Sequence, residues 1–282
     1  MERWGDAAIA IDSNVAARFP LQLPLTIVHN SLRLRGEAAD GSEARRRLGL
    51  PVESRILIGF AGYLRRQKGW PELVAAARIL VAEGAPVHFV IMGGGVRPPA
   101  WFRSRRGRVL SAAGLVSDEE SALTTLVAAS GLQDRFTLLP FVRETAEVYE
   151  ALDIMTFPNQ GVGLGRPVLE AAAHGKPVVA SGSSDGAGVL LPGVTGLLLE
   201  HGNAVEIAAA LRTLVNDDEL RERLGRAAQA HARTVFDPVL NARRVEAVYD
   251  ELLGAAPGNV PTVPCVRSTI AEVPPCAASA AL

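Results

Sequence analysis

Short apolar runs alternate with amphipathic stretches through the centre of the chain. The apolar runs are bounded by glycine or proline and are mostly rich in branched side chains, which predicts buried parallel strands. They are Ile56–Ala61, Val87–Met92, Phe136–Leu139, Ile154–Phe157 and Val178–Ala180. The stretches between them predict helices over Pro71–Glu83, Glu120–Gly131, Thr145–Leu152 and Pro167–His174. This alternation predicts an α/β fold built on a Rossmann-like, doubly wound parallel sheet.

Residues after this sheet continue as helices and then lose their periodicity. Asn203 is a predicted N-cap with Glu206 in the capping-box position. Further helices are predicted from about Asp218 to Val235 and from Pro238 to Leu253. Beyond them the chain is rich in Pro, Ala, Ser and Thr, which predicts disorder. The expected boundaries are residues 50–237 for the main domain, 238–254 for a C-terminal helix and 255–282 for a disordered tail.

The first part of the chain, residues 1–49, has a different pattern. Ala7–Ile11 and Leu25–His29 each predict a short strand, and two short strands are too few to bury a core of their own. Gly36–Arg47 is polar and basic, and it is predicted to be a linker to the main domain. This front segment therefore has the pattern of a remnant of a larger unit.

The composition argues against several classes of protein. Hydrophobic residues make up 48% and charged residues 21% of the 282, which permits a well-filled core. The formal net charge of −1 argues against a nucleic-acid-binding protein. The two cysteines, Cys265 and Cys276, lie in the predicted tail, so the folded part has no disulfide framework. No apolar run reaches the roughly 18 residues of a membrane span, and a cytoplasmic location is expected.

The loop after the first main strand combines glycines with cations. Gly62 and Gly69 bracket Arg65, Arg66 and Lys68 at a predicted strand-to-helix turn. Ligands of open α/β sheets bind beyond the carboxyl ends of the strands. Backbone N–H groups and cations at such a turn suit a diphosphate. The alternative interpretation is a solvated basic loop.

A second glycine cluster, which includes Gly94, follows the next strand, and a basic stretch comes after it. Glycine allows a ligand to approach the backbone closely, but it also simply makes turns. The basic stretch contains Arg97, Arg103, Arg105, Arg106 and Arg108. These arginines are predicted either to contact phosphate or an anionic membrane surface, or to form a solvated insertion, which is the more common case.

The loop after Ile154–Phe157 leads into a helix. Pro167 suits the first helical position, and Gly175 with Pro177 ends the helix. The dipole at its N-terminus favours an anion in the same crevice as Lys68. Glu170 is placed to accept hydrogen bonds from ribose hydroxyls, or it merely complements the helix dipole.

The histidines show no spacing typical of a metal site, and we find neither a nucleophile elbow nor a Walker loop nor a dinucleotide fingerprint. No metal and no cofactor are therefore expected.

Taken in order, several segments resemble the C-terminal half of family 4 retaining glycosyltransferases of the GT-B fold. The resemblance covers about residues 50–253. The segments that carry it are Gly62…Lys68-Gly69, Gly131–Phe136, Gly165–Ala171, Gly175–Ala180 and Gly193–Leu198.

The resemblance implies a domain that binds a nucleotide-diphosphate sugar as donor. Lys68 would bind the diphosphate, Glu170 the ribose, and Gly165 with Arg166 the donor phosphates. Lys68 and Arg66 would be the catalytic cations that stabilise the leaving group. The donor-binding residues implied are Gly62, Arg65, Lys68, Gly94, Phe141, Val142, Arg143, Leu164, Gly165, Arg166 and Glu170.

The family resemblance also implies an acceptor that is a glycan, a lipid or a small molecule. Most of the family's N-terminal domain, which carries the acceptor site, is missing. A separate N-terminal domain or a homo-oligomer is therefore expected to complete the enzyme, and contact with the inner face of the membrane is compatible with the family.

Departures from the family pattern keep two alternatives open. Tyr63 stands where the family has arginine, Val162 where it has a glutamate near the donor sugar, and Ala187-Gly188 where it has Pro-Glu. These substitutions favour a non-catalytic sugar-nucleotide-binding module. A sugar-nucleotide epimerase of the GT-B fold is the other alternative.

Overall fold

The computed structural model describes the chain in stretches. They are residues 6–12, 15–16, 23–32, 40–52, 55–95, 97–140, 142, 144–161, 165–181 and 188–254. The predicted disordered tail, residues 255–282, lies outside them.

Two parallel sheets contain the strands of the described residues. The strands are β1 (Ala8–Ala10), β2 (Leu25–Ile27), β3 (Ile56–Ala61), β4 (Val87–Met92), β5 (Phe136–Leu139), β6 (Ile154–Pro158), β7 (Val178–Ser181) and β8 (Gly196–Leu199). The larger sheet has the order β5-β4-β3-β6-β7-β8, and every neighbouring pair in it is parallel. The predicted α/β fold with a Rossmann-like parallel sheet is confirmed.

Helices join successive strands of the larger sheet and extend beyond it. They are α1 (Gly41–Arg47), α2 (Trp70–Ala82), α3 (Pro99–Phe102), α4 (Arg105–Ala112), α5 (Glu119–Ala129), α6 (Ala146–Ala151), α7 (Arg166–Ala173), α8 (Ala204–Asn216), α9 (Asp218–Val235) and α10 (Pro238–Leu253). Asn203 caps α8 as predicted, because its side-chain oxygen accepts hydrogen bonds from the backbone N–H groups of Val205 and Glu206.

The two faces of the sheet bury two separate cores. Leu57 of β3 belongs to the core that includes side chains of α1, α6, α7 and α9. Its neighbour Ile58 belongs to the core that includes side chains of α2, α5 and α8. Successive side chains of a strand point to opposite faces. The sheet is therefore covered by helices on both sides, which explains why its strands read as continuous apolar runs.

Three parts of the chain differ from the sequence-based predictions. The predicted linker Gly36–Arg47 contains α1, whose Arg45 bonds to the Ala151 carbonyl and to Asp153. The basic stretch after β4, for which no helix was predicted, forms α3 and α4. The edge strand β8 was not predicted, since Gly196–Leu199 is a short run at the end of the sheet.

The front segment forms a separate two-stranded sheet held by the last helix. Strands β1 and β2 pair in parallel, with Ile9 opposite Thr26. The Asn241 side chain of α10 donates hydrogen bonds to the carbonyl of His29 and to the hydroxyl of Ser31. The C-terminal helix thus returns to the beginning of the described chain.

His88 of β4 is expected to make stability fall in acid. Its imidazole lies 2.8 Å from the Thr137 hydroxyl, and burial, followed by the charges of Arg55 and Arg135, lowers its pKa to about 4. Between pH 6.5 and pH 4, His88 therefore binds a proton in the unfolded chain but not in the folded chain. As a result, the free energy of unfolding falls as the pH falls. A shift of this size corresponds to a loss of about 3 kcal/mol for this group.

Urea unfolding at pH 7, 5.5 and 4 measures this loss. His88→Asn should flatten the decline, whereas His201→Asn, which removes an exposed histidine, should leave it unchanged. Equal declines in the His88 variant and the parent chain would contradict the assignment.

Candidate functional site

The carboxyl ends of three adjacent strands bring the predicted loops to one edge of the sheet. Strand β3 lies between β4 and β6. The Gly62–Gly69 loop follows β3, the glycine cluster follows β4, and the loop leading into α7 follows β6. Parallel strands place these three connections side by side, as the sequence predicted.

Backbone hydrogen bonds join the first two of these connections. The Gly62 N–H donates to the Met92 carbonyl (3.0 Å), and the Leu64 N–H donates to the Gly94 carbonyl (3.1 Å). A Cβ on Gly93, whose φ is +132°, would lie 2.1 Å from the Gly62 carbonyl oxygen. Gly94 therefore holds the neighbouring loop through its carbonyl, and Gly93 allows the close approach.

The far end of the Gly62–Gly69 loop is fixed to the end of β6. Arg66–Lys68 forms a 3₁₀ turn, and the Gln160 N–H donates to the Gln67 carbonyl at 2.8 Å. Gly69 has a φ of +78°, and a Cβ there would lie 1.8 Å from the Pro158 carbonyl oxygen. The lysine that ends this turn is consequently held in a defined place.

Lys68 and the N-terminus of α7 converge on the ring of Phe157. The Lys68 ammonium lies 5.2 Å from the centroid of that ring. A Cβ on Gly165, the N-cap of α7, would lie 2.7 Å from Phe157 Cζ. Burial, and then the positive charge of Arg65, lowers the pKa of Lys68. An anion between the ammonium and the helix N-terminus would offset both the burial of the ammonium and its repulsion by Arg65.

Arg166 and Glu170 pair with each other along α7. The Arg166 Nε donates to Glu170 Oε1 at 2.7 Å, and the arginine side chain is 74% exposed while the glutamate is 18% exposed. Burial, followed by the charge of Glu170, raises the pKa of Tyr149. A ribose hydroxyl at Glu170 would therefore share the carboxylate with Arg166.

Arg66 lies near Trp70 and a buried carboxylate, whereas Lys68 lies against the Phe157 ring. Its guanidinium lies 5.6 Å from the centroid of the Trp70 ring and 4.0 Å from Glu119 Oε2. Glu119, which is 8% exposed, also accepts hydrogen bonds from the Trp70 indole N–H and the Ser117 hydroxyl. The structure thus separates cations that the sequence grouped, and it ties Arg66 to the start of α5.

Some predicted site residues lie in the core or outside the described residues. Val142 is half-buried and packs against the core that contains α7. Phe141, Arg143, Leu164 and the departure at Val162 lie outside the described residues.

Sequence reasoning missed Phe157 and Glu119 as site residues. An aromatic side chain at the end of a buried strand, directly before a glycine-rich loop, is the signal that points to Phe157. No sequence signal connects Glu119 with Arg66.

A small cavity separates the front segment from α7. The His29 Nδ1 lies 3.0 Å from the Ile11 carbonyl oxygen, and burial is the main cause that lowers the pKa of His29. Arg166 also lines the cavity, which therefore lies beside the N-terminus of α7. Its lining residues are Ile11, Asp12, His29, Asn30, Arg166, Leu169 and Val189.

Two kinds of feature are missing from the described part of the chain. Its residues contain no group of three or more His, Cys, Asp or Glu side chains able to hold a metal ion. Its helices include none that is both long enough and apolar enough to cross a membrane.

The family model and a curated relative that match this chain both indicate a glycosyltransferase. Residues 42–231 match the family model described as glycosyl transferases group 1. The chain is 32% identical over 199 residues to a D-inositol 3-phosphate glycosyltransferase of Xylanimonas cellulosilytica, a match that covers 70% of this chain and 42% of the relative. The chain thus spans less than half the length of this curated relative.

Solved structures share the fold at lower identity. Sucrose-phosphate synthase from Thermosynechococcus elongatus superposes with a TM-score of 0.73 at 23% identity, over 89% of this chain and 59% of the other. HepE from Anabaena, solved in complex with UDP-glucose, superposes with a TM-score of 0.72 at 20% identity, over 88% of this chain and 65% of the other.

Proposed function

Because this chain belongs to the group 1 glycosyl transferases, we propose that it binds a nucleotide-diphosphate sugar and forms the donor half of an enzyme that transfers the sugar to an acceptor hydroxyl. Within the group we assign it to the retaining enzymes of family 4. The donor would lie along the edge formed by the Gly62–Gly69 loop and the N-terminus of α7.

The convergence on Phe157 is the observation that carries this proposal. The Lys68 ammonium and the N-cap Gly165 both lie against the Phe157 ring, so a cation and the N-terminus of a helix are close to the same side chain. Both features favour phosphate oxygens. The Gly62–Gly93 contact and the Gly69–Pro158 contact keep the lysine there before any ligand arrives.

The chemistry follows from where charge develops. The bond from the anomeric carbon to the diphosphate breaks during transfer, and the leaving diphosphate gains negative charge. Lys68 and the N-terminus of α7 are already in place and would stabilise that charge without large reorganisation, and the positive charge of Arg65 would add to the effect. Arg66 would contribute at longer range, because Glu119 and Trp70 hold it to one side. The solved complex of HepE with UDP-glucose supports uridine diphosphate as the first nucleotide to test.

The acceptor half must come from polypeptide beyond these residues. Strands β1 and β2 leave large apolar side chains exposed on a sheet that has two strands among the described residues: Ile9 is 42%, Leu25 40% and Ile27 37% exposed. Parallel sheets are normally buried on both faces. Further strands packed on this sheet would bury the exposed side chains and complete the family's N-terminal domain.

A non-catalytic module that binds sugar nucleotides is the second candidate. Gly188 stands where the family has glutamate, and the His29 ring lies 3.3 Å from the place of a Cβ there. The carbonyl of Gly188 lies 2.6 Å from His231 Nε2. A glutamate at this point would therefore meet an occupied space, which favours a site that has lost this carboxylate.

Replacing Lys68 tests the donor site. A hydrogen bond from a charged group to phosphate is worth about 1.5–3 kcal/mol, so Lys68→Ala should weaken binding of uridine diphosphate by roughly tenfold to one hundredfold. Binding of uridine, which lacks phosphates, should change much less. Isothermal titration of both ligands measures the difference.

Arg78→Ala is the matched control, because it removes one exposed positive charge from α2, away from the strand ends. Its affinity for uridine diphosphate should equal that of the parent chain. Equal losses for uridine and its diphosphate in the Lys68 variant would show that this side chain does not contact the diphosphate.

A further inference from the structure

A compact basic hairpin follows β4 and is not needed to explain donor binding. It comprises residues 97–115, contains α3 and α4, and carries no acidic residue. Its arginines are all exposed. They are Arg97, Arg103, Arg105, Arg106 and Arg108. Because the whole chain has a formal net charge of −1, this hairpin is a local concentration of positive charge on an otherwise slightly acidic molecule.

Specific contacts give the basic hairpin a defined shape. A Cβ on Gly107 would lie 2.3 Å from the Trp101 carbonyl oxygen, so the two helices touch backbone to backbone. Ser104 between them accepts a hydrogen bond from the Gly107 N–H and donates one to the Trp101 carbonyl. The Arg97 guanidinium stacks 4.2 Å from the centroid of a ring of Trp101. The arginines are therefore displayed on a folded unit.

The arginines of the basic hairpin lack acidic partners within the described chain, which contains no ion pair to any of them. Several other arginines do form ion pairs: Arg212 pairs with Glu83, Arg221 with Asp218 and Arg226 with Glu222. Charges left without counterions by the protein itself are available to an external polyanionic surface.

Exposed aliphatic side chains lie among these charges. Val109 of α4 is 67% exposed, one turn after Arg105 and next to Arg108, and Leu115 is 71% exposed. A soluble polyanion gains little from exposed aliphatic groups. The headgroup region of an anionic bilayer accommodates both kinds of side chain, since cations meet lipid phosphates and apolar groups enter the acyl boundary.

We infer that the basic hairpin docks this chain onto an anionic lipid surface. The hairpin leaves the sheet at the carboxyl end of β4, directly after the Gly94 carbonyl that holds the Gly62–Gly69 loop. Docking would therefore bring the edge with the candidate donor site close to the lipid. The inference does not depend on donor binding, because the arginines that carry it lie outside that site.

Sedimentation with vesicles tests the docking. The chain should bind vesicles of equal parts phosphatidylglycerol and phosphatidylcholine at low salt, and it should release them at high salt. The triple variant Arg105→Gln, Arg106→Gln, Arg108→Gln should bind about one hundredfold more weakly, at about fivefold per arginine. The triple variant Arg223→Gln, Arg226→Gln, Arg233→Gln changes the net charge equally on exposed positions of α9, and it should bind within about twofold of the parent chain.

A charge-neutral variant separates lipid from other polyanions. Val109→Ser with Leu115→Ser should weaken vesicle binding several-fold and leave any binding to duplex DNA unchanged. Thermal unfolding of each variant checks that it is folded. The inference is overturned if the parent chain ignores anionic vesicles or if both triple variants lose binding equally. It is also overturned if the apolar variant keeps full binding, in which case the hairpin is a general polyanion site.

Discussion

The isolated chain should bind a nucleoside diphosphate and yet transfer no measurable sugar. Binding should survive because the Gly62–Gly69 loop and the N-terminus of α7 belong to one sheet and are locked to each other through β6. Transfer should fail because nothing holds the acceptor in line with the anomeric carbon. Loss of that oriented encounter raises the barrier by about 7–11 kcal/mol, which is on the order of a 10⁵-fold to 10⁸-fold loss of rate.

Calorimetric titration and product analysis test the two halves separately. Uridine, guanosine and adenosine diphosphates, each with and without a sugar, form the binding panel. The donor site is refuted if none of these ligands gives a heat of binding or raises the unfolding temperature. Transfer by the chain alone would show that the acceptor domain is dispensable.

An added N-terminal domain distinguishes a truncated enzyme from a degenerate site. If the completed protein transfers sugar, the missing domain is the main defect. If it binds the donor without transfer, Val162→Glu in the completed protein should restore activity, because a carboxylate near the donor sugar would be regained. Failure of both would favour the non-catalytic module.

Gly69→Ala should lower the free energy of unfolding by about 3–5 kcal/mol. Gly69 combines a left-handed backbone with a Cβ position only 1.8 Å from the Pro158 carbonyl oxygen. The added methyl group would have to push the loop away from the end of β6, because a backbone carbonyl in a strand cannot rotate aside. The same shift would move Lys68, so affinity for uridine diphosphate should fall as well.

Gly84→Ala separates the two causes. Gly84 has almost the same φ, +81°, and nothing lies within 4 Å of its Cβ position. The Gly84→Ala variant should therefore lose only about 1 kcal/mol of unfolding free energy, which is the cost of the left-handed backbone. Chemical unfolding compares both variants with the parent chain. Equal losses at Gly69 and Gly84 would mean that the loop yields easily and that the contact with Pro158 does not fix Lys68.

The main strands could be read from the sequence because they are buried on both faces. Ile56–Ala61, Val87–Met92 and Phe136–Leu139 have the predicted bounds. A continuous apolar run between glycine or proline residues leaves little choice of end. Helix α1 could not be found in this way, since Ala44 is its only buried residue among those described and its contacts with Ala151 and Asp153 come from far along the chain.

The candidate site was predictable in its parts and not in its arrangement. Lys68 and Gly165 could be selected from glycine and charge patterns at strand ends. Their meeting at Phe157 depends on the order of strands, which no local pattern states. The orientation of Arg66 depends on Glu119, which follows β4 and lies on a different connection. Neighbouring cations in the sequence therefore said little about where each charge points.

The hydrogen bond from Asn241 to the His29 carbonyl joins residues 212 positions apart. During synthesis from the N-terminus, at about 5–20 residues per second, that partner emerges roughly 10–40 s after His29. Throughout this interval the front segment with β1 and β2 lacks its hydrogen bonds to α10, while the Rossmann-like unit is completed behind it. The nascent front segment is therefore held less firmly than the larger sheet until the last helix has been made.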